Sequence, residues 1–363
     1  MKILEICPYS AGICGVWTRV KQESQELAKR GHQVIVFSSD QIKGTNKKTK
    51  NNEKQGRLEI FRFPIKKKII SSNIAYFDFK ENFNKINPDI VITHLLHPHS
   101  FKALEYCRKK NIPCFLVTHA PFNVKRNFIL NLLTKVYYAL KVKPNINKFK
   151  KIITITKWEE NYLFKLGVKK EKLAYIPNNI PNEFFSKKPK NGKGILFLGR
   201  IAPVKNLELV VKTAKNFPKL NFSIVGFAEE EYLDKLKKLS KNIKNIKFLP
   251  PIYNLNKKIT LIDKYELFLL PSKREAMPQA LLEAMARGKI VISSKTDGGK
   301  EIITTNKDGF LFEINNEKEL KQAISKIQGM SDSPKSQIRK NSIKKAKQFR
   351  IDEVINKLEK TIK

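Results

Sequence analysis

The chain reads as α/β, built from two doubly wound domains facing a central cleft. Three observations predict this. Short apolar runs rich in β-branched residues alternate with amphipathic stretches of helical period, the pattern of a parallel sheet flanked by helices. The pattern pauses at a polar, Gly- and Pro-bearing stretch, SKKPKNGKG at Ser186–Gly194, and then starts again. The length, 363 residues, suffices for two full cores.

The elements follow in order. Ile3–Ile6 reads as the first strand. A loop bearing Gly12 and Gly15 leads to a helix carrying Val16, Val20 and Leu27, which Gly31 ends. Val34–Phe37, Ile90–Thr93, Cys114–Thr118 and Ile152–Ile155 read as further strands. Past the linker, Ile195–Leu198 is a strand and Gly199–Val204 a loop. Leu207, Val210, Val211 and Ala214 then stripe one face of a helix. Phe222–Val225, Leu267–Leu270 and Ile290–Ser293 complete the strands. The division is a first domain over 1–185, a linker over 186–194, a second domain over 195–335 and basic C-terminal helices over 336–363. Ligands in such sheets bind beyond the C-terminal strand ends.

Lys and Arg number 72 against 33 Asp and Glu, a net charge of +39. That excess implies an anionic partner: nucleic acid, anionic lipid or a phosphorylated substrate. No nucleic-acid module is recognisable and charge alone gives nonspecific affinity, so no specific nucleic-acid partner is expected. Cys7, Cys14, Cys107 and Cys114 lack C-x-x-C spacing; Cys7 and Cys114 lie in or beside apolar runs and read as reduced core residues. No apolar run reaches the roughly 18 residues of a membrane span, and the N-terminus enters a strand without a signal-peptide stretch. A cytoplasmic location is the expectation.

The most informative stretch is PSKREAMPQALLEAMARGKIVISSKTDGG, Pro271–Gly299. Pro278 suits a helix start and Gly288 a stop, so Glu275 falls in the preceding loop and Glu283 on the helix. Unpaired N–H groups at a helix N-terminus make an anion site. A carboxylate in that loop suits sugar hydroxyls, and one further down suits a ribose. The alternative is a surface helix with two solvated glutamates. Arg200 and Lys205 lie in a strand-to-helix loop, Gly199–Asn206, and together can neutralise a diphosphate without a metal. His119 closes VTH at a strand end and reads as a polar contact to a bound sugar; His94, His97 and His99 read as loop histidines. Histidine spacing does not match a zinc site, and no D-x-D occurs, so no metal is expected. Lys125–Lys151 interleaves Phe128, Ile129, Leu132, Leu133, Val136, Tyr137 and Leu140 with Lys and Arg. It reads as a basic amphipathic helix suited to an anionic membrane surface, or as an ordinary helix with a buried face.

Several pieces, in this order and spacing, resemble glycosyltransferase family 4 over nearly the whole length. They are the first Gly loop, LAKRGHQVIVFSS, VTHAPF, ITITKWEENYLFKLGV, YIPNNI, FLGRIAPVKN, FSIVGFA, LLPSKREAMPQALLEAMARGKIVISS, DGGKEII and DGFLF. The resemblance implies the two-Rossmann GT-B fold and a retaining, metal-independent glycosyltransferase of the hexosyl type. No cofactor is implied beyond a UDP- or GDP-sugar donor. The acceptor would be a glycan or a lipid-linked molecule. Glu275 would contact the donor sugar, Glu283 the ribose, and Arg200 and Lys205 the diphosphate. The segment Met277, Pro278, Gln279, Ala280 and Leu281 would bind sugar and phosphate through its backbone. Gly226, Pro251 and Ile252 would lie near the base, His119 by the reacting sugar, and Gly12 and Gly15 would let the first loop approach the phosphates. The terminal helix at Ile351–Lys363 would pack back on the first domain. Some positions depart from the family pattern: Gly12 and Gly15 are not adjacent, Ala276 and Met277 replace the usual Gly and Phe, and Asn179 stands for Gly. A non-catalytic sugar-nucleotide-binding protein and a nucleotide-sugar epimerase are rival readings on the same fold.

Overall fold

The computed structural model describes residues 1–12, 14–43, 45, 47–65, 67–68, 75–122 and 128–363. It divides into two units, Met1–Asn179 with Ile351–Lys363, and Ile180–Arg350.

The first unit carries strands β1 (Lys2–Tyr9), β2 (Gln33–Ser39), β3 (Asn52–Gln55), β4 (Leu58–Phe63), β7 (Ile90–His94), β8 (Cys114–Val117), β9 (Lys151–Thr154) and β10 (Leu173–Tyr175), with a small separate hairpin of β5 (Lys67–Lys68) and β6 (Ala75–Tyr76). The main sheet runs β10-β9-β8-β7-β1-β2-β4-β3 and is parallel except at its edge, where β3 pairs antiparallel with β4. Its central strands are buried on both faces, as parallel sheets covered by crossover helices require. Phe37 packs edge-on against Phe63 at 5.0 Å, within a core that includes Phe77, Phe79, Phe83 and Phe149. The terminal helix Ile351–Ile362 buries Val354, Ile355 and Leu358 in this unit, and its Glu359 accepts from Arg30 at 2.8 Å and pairs with His32 at 2.9 Å.

The second unit is a six-stranded parallel sheet, β13-β12-β11-β14-β15-β16. The strands are β11 (Ile195–Leu198), β12 (Phe222–Val225), β13 (Ile246–Leu249), β14 (Leu267–Leu270), β15 (Ile290–Ser294) and β16 (Phe310–Phe312). Counted within the unit, this is the Rossmann order 3-2-1-4-5-6, with the reversal between β11 and β14. In the first unit the order reverses between β1 and β7.

The chain changes unit at Asn179/Ile180 rather than across Ser186–Gly194. The physical reason is Arg287, which is fully buried. Its guanidinium donates to the carbonyls of Phe184 (2.9 Å), Lys187 (2.7 Å) and Lys188 (3.1 Å), while Lys289 donates to Lys190 O at 2.6 Å. A segment with linker composition is thus tied to the second unit by buried cations. Helix Asp332–Lys347 also belongs to that unit, whereas Ile351–Ile362 belongs to the first. Strands β3, β4, β5, β6, β10, β13 and β16 lie outside those read from sequence. β13, IKFL, carries Lys247 in a short run, and β3 is entirely exposed. All four cysteines are buried and free. Among the described residues, no helix is long and apolar enough to cross a membrane.

Candidate active site

The second unit places its charged loops at the C-terminal ends of adjacent parallel strands. After β11, residues 203–205 make a tight turn and Asn206 takes a left-handed conformation (φ 55°), where Asn is tolerated better than most residues. The Asn206 amide donates to Pro271 O at 3.3 Å, and Lys273 N donates to Val204 O at 2.8 Å. These bonds join the loop after β11 to the loop after β14. Lys205 Nζ then meets Glu275 Oε1 at 2.5 Å, and Ser272 Oγ donates to the same oxygen at 2.6 Å. Both side chains of the pair are largely buried. The loop is seated from below by Gly298, whose N–H donates to Glu275 O at 3.1 Å; a Cβ there would lie 2.2 Å from Ala276 O.

Helix Gln279–Ala286 starts directly after Pro278. It buries Leu281 and Glu283, and Met277 is buried ahead of it. Glu283 is 2% exposed, and both its oxygens accept from Lys258 Nζ, at 3.0 and 3.1 Å. Arg200 is held apart from the Lys205–Glu275 pair, bonded instead to Glu229 at 2.9 Å across the neighbouring loop after β12. That loop abuts the one after β11 so closely that a Cβ on Gly226 would lie 1.7 Å from Gly199 O; only glycine fits. Gly226 N donates in turn to Leu249 O, the last residue of β13, and Pro251 and Ile252 follow, half-buried. The unit thus brings Lys205 and Ser272 onto Glu275, with Gly226 at the end of the strand beside β11 and Glu283 bonded to Lys258.

The first unit's counterpart is a buried hydrogen-bonded line. Glu5 of β1 and His94, the last residue of β7, are both fully buried. Glu5 Oε2 meets His94 Nε2 at 2.7 Å, and His94 Nδ1 meets His119 Nε2 at 2.9 Å. His94 is therefore a buried strand residue rather than a loop histidine, and His99 is buried in helix Pro98–Lys109, with Nε2 3.0 Å from His94 O. His119 and Ala120 both adopt left-handed conformations (φ 57° and 49°), which cost roughly 1–2 kcal/mol each. Glu159 holds them there. It is fully buried and accepts from Thr118 Oγ1 (2.6 Å), Ala120 N (2.9 Å), Ile155 N (2.6 Å) and Thr156 N (3.1 Å). Burial pushes the Glu159 carboxyl up to about 7 against those bonds, and the Glu5 carboxyl up to about 8 against the pull of Arg19. Burial likewise takes His94 down to about 3 and His119 well below the usual histidine range, the latter helped by His94 and Arg19. Gly12 turns with φ 83° against Lys43, while Gly15 is the first residue of helix Gly15–Lys29 rather than a loop position.

Sequence reasoning missed Lys258, Ser272, Glu5, Glu159 and Glu229. Glu5 carried a signal, a lone carboxylate inside the apolar run ILEI. Lys258 carried none in a chain so rich in lysine.

Helix Phe128–Tyr137 packs Tyr137, half-buried, against Phe101 at the core but leaves Phe128 82% exposed, with Ile129, Leu132, Leu133 and Val136 exposed beside it and Leu140 just beyond. Lys125–Asn127, the start of the basic amphipathic segment read from sequence, lie outside the described residues.

The sequence matches the family described as Glycosyltransferase Family 4 over residues 13–184, and the one described as Glycosyl transferases group 1 over residues 179–349. It is 24% identical over 350 residues to an uncharacterised glycosyltransferase of Methanocaldococcus jannaschii, spanning 88% of this chain and 87% of that one. It is 30% identical over 173 residues to the UDP-Gal:alpha-D-GlcNAc-diphosphoundecaprenol alpha-1,3-galactosyltransferase of Escherichia coli, spanning 42% of this chain and 44% of that one. The crystal structure of Anabaena HepE in complex with UDP-glucose superposes with a TM-score of 0.76 at 17% identity, over 99% of both chains. At that identity the likeness establishes the fold.

Proposed function

The chain belongs to the GT-B glycosyltransferases, and from that footing we propose a retaining, metal-independent enzyme that moves a sugar from a UDP- or GDP-sugar to a glycan or lipid-linked acceptor at a membrane surface. The observation that carries this reading is the Lys205–Glu275 pair, seated where the second unit's strand order reverses. A cation already positioned at a strand end is suited to a diphosphate. As the sugar leaves, negative charge grows on the β-phosphate, and Lys205 with Arg200 offsets it. Donor binding replaces the carboxylate partners Glu275 and Glu229 by phosphate oxygens. Glu275 Oε2, which neither Lys205 nor Ser272 engages, then accepts a sugar hydroxyl. Glu283 accepts from the ribose beside Lys258, and the backbone of Met277–Leu281 supplies N–H groups at the helix start. The incoming acceptor attacks the face the diphosphate leaves, with no covalent nucleophile among these residues, so anomeric configuration is retained.

The named galactosyltransferase relative supports a nucleotide-diphosphate donor and a lipid-linked acceptor. The exposed apolar face of Phe128–Tyr137, in a stretch with no Asp or Glu from Glu105 to Glu159, supports docking on anionic lipid on the cytoplasmic face. A thermal-shift screen against UDP- and GDP-sugars, followed by a transfer assay on the stabilising donor, tests the enzyme reading. Stabilisation by one nucleotide sugar is expected, and none by any would contradict it. Flotation with anionic vesicles at low salt tests docking, which fails if binding is absent or indifferent to anionic lipid.

A further inference from the structure

Glu5 lies between Leu4 and Ile6 in a strand buried along most of its length, with no exposed surface of its own. An ionised carboxylate in such a place costs several kcal/mol. Its partners therefore decide its state. Ser24 Oγ donates to Oε1 at 3.5 Å, and Oε2 faces His94 Nε2 at 2.7 Å. His94, equally buried, turns its other nitrogen to His119 Nε2 at 2.9 Å. His119 is half-buried at the end of β8.

We infer that Glu5 and His94 are positioning residues that fix the tautomer of His119, and with it the hydrogen-bonding role that His119 Nδ1 presents to a ligand. Along this line the bond made by one ring nitrogen sets the protonation of the other. If Glu5 is protonated, its O–H donates to His94 Nε2. His94 Nδ1–H donates to His119 Nε2, and His119 keeps its proton on Nδ1, as a donor. If Glu5 is ionised, every bond reverses. His94 Nε2–H donates to Glu5, His119 Nε2–H donates to His94 Nδ1, and His119 Nδ1 becomes an acceptor. Because Ser24 Oγ donates to Oε1, the carboxyl proton is placed on Oε2, and any other arrangement with neutral rings then sets two lone pairs or two protons face to face.

The surroundings select the first state at neutral pH. Burial raises the Glu5 carboxyl to about 8, above what Arg19 and Ser24 restore. Arg19 is itself spoken for by Glu23, at 2.8 Å on the same helix, and by the carbonyl of Ile176 at 2.9 Å. Cys7, further along β1, and His94, from β7, are the remaining titratable groups beside Glu5, and burial keeps both uncharged. His119 thus presents Nδ1–H, a donor suited to a sugar hydroxyl oxygen. That its ligand is a sugar rests on the function proposed above.

Selective 15N-histidine labelling of the full chain reads the tautomer directly, without any sugar, once His119 is assigned with His119→Gln. The wild type is expected to carry the His119 proton on Nδ1 at pH 7 and to shift it toward Nε2 as pH rises past about 8. Glu5→Gln, whose amide can donate permanently to His94, is expected to hold the Nδ1 form across the range. Glu5→Leu is expected to release His119 to the Nε2 form and to lower kcat about tenfold with a smaller change in KM, the loss of one hydrogen bond's orientation. An Nε2-protonated His119 in the wild type at pH 7, or the same tautomer in wild type and Glu5→Leu, would overturn the inference. The wild-type and Glu5→Gln spectra decide even if Glu5→Leu does not fold. A wrong tautomer in a chain that transfers sugar sinks the relay alone. A right tautomer in a chain that binds no nucleotide sugar upholds the relay and sinks the functional reading.

Discussion

The two units share one topological idea and fill it with opposite chemistry. Each sheet reverses its strand order once, and each puts polar groups at the strand ends there. In the second unit those groups are loop ion pairs, Lys205–Glu275 and Arg200–Glu229, with Lys258–Glu283 joining two helices. In the first they form a buried line, Glu5–His94–His119, braced by Glu159. The difference teaches how each is held. Loop ions can exchange a carboxylate for a phosphate at little structural cost. A buried line keeps one geometry because every alternative strands a polar group away from water.

The comparison is sharpened most by Lys205→Ala. It should leave the fold intact and lower turnover about a hundredfold or more, as loss of an electrostatic stabiliser does. Near-wild-type turnover in steady-state kinetics would remove Lys205 from the chemistry. Glu159→Gln should strike the other unit. Its amide must turn an NH2 toward two N–H donors or toward Thr118 and Ala120 N, so urea unfolding should show a loss of about 3 kcal/mol. Hydrogen exchange should localise the change to residues 114–120 and 151–160; an unchanged midpoint would mean that Glu159 does not brace the His119 turn. Gly226→Ala should cost about 1–3 kcal/mol, because its Cβ collides with the Gly199 carbonyl, and should weaken nucleotide-sugar affinity through the displaced loop.

The smallest effect is pH-dependent. Glu5 and Glu159 have raised carboxyl pKa values in the fold, about 8 and about 7, so the folded state holds protons that the unfolded chain has released above its usual value of 4.5. Their contribution is complete below that value and is lost as pH rises through 7 and 8. His94, lowered to about 3, works in the opposite sense, but only below its unfolded value of 6.5. Between about 6.5 and 8 the carboxylates set the slope for this cluster. Amide exchange in residues 114–120 should accelerate over that range in the wild type, beyond the intrinsic rate, and less so in Glu5→Gln.

Sequence made the second unit's site more legible than the first's. Glu275 and Glu283 announce themselves through Pro278 and Gly288, which fix where the helix begins and ends. Lys205 sits in a loop between a plain strand and a plain helix. These are local signals. The first unit's line joins residues 89 and 25 positions apart, brought together by strand pairing and not by spacing. Only the oddity of Glu5 in an apolar run hinted at it. The linker misled for a related reason. Composition described Ser186–Gly194 correctly as polar, but its carbonyls are gathered by Arg287, about a hundred positions away.

On this reading one donor molecule spans Lys205, Glu275 and Glu283 at the end of the second sheet. A crystal structure with the stabilising UDP- or GDP-sugar tests it most directly. Diphosphate is expected against Lys205, sugar hydroxyls at Glu275 and ribose at Glu283. Nucleotide density elsewhere, with the Lys205–Glu275 pair undisturbed, would contradict it.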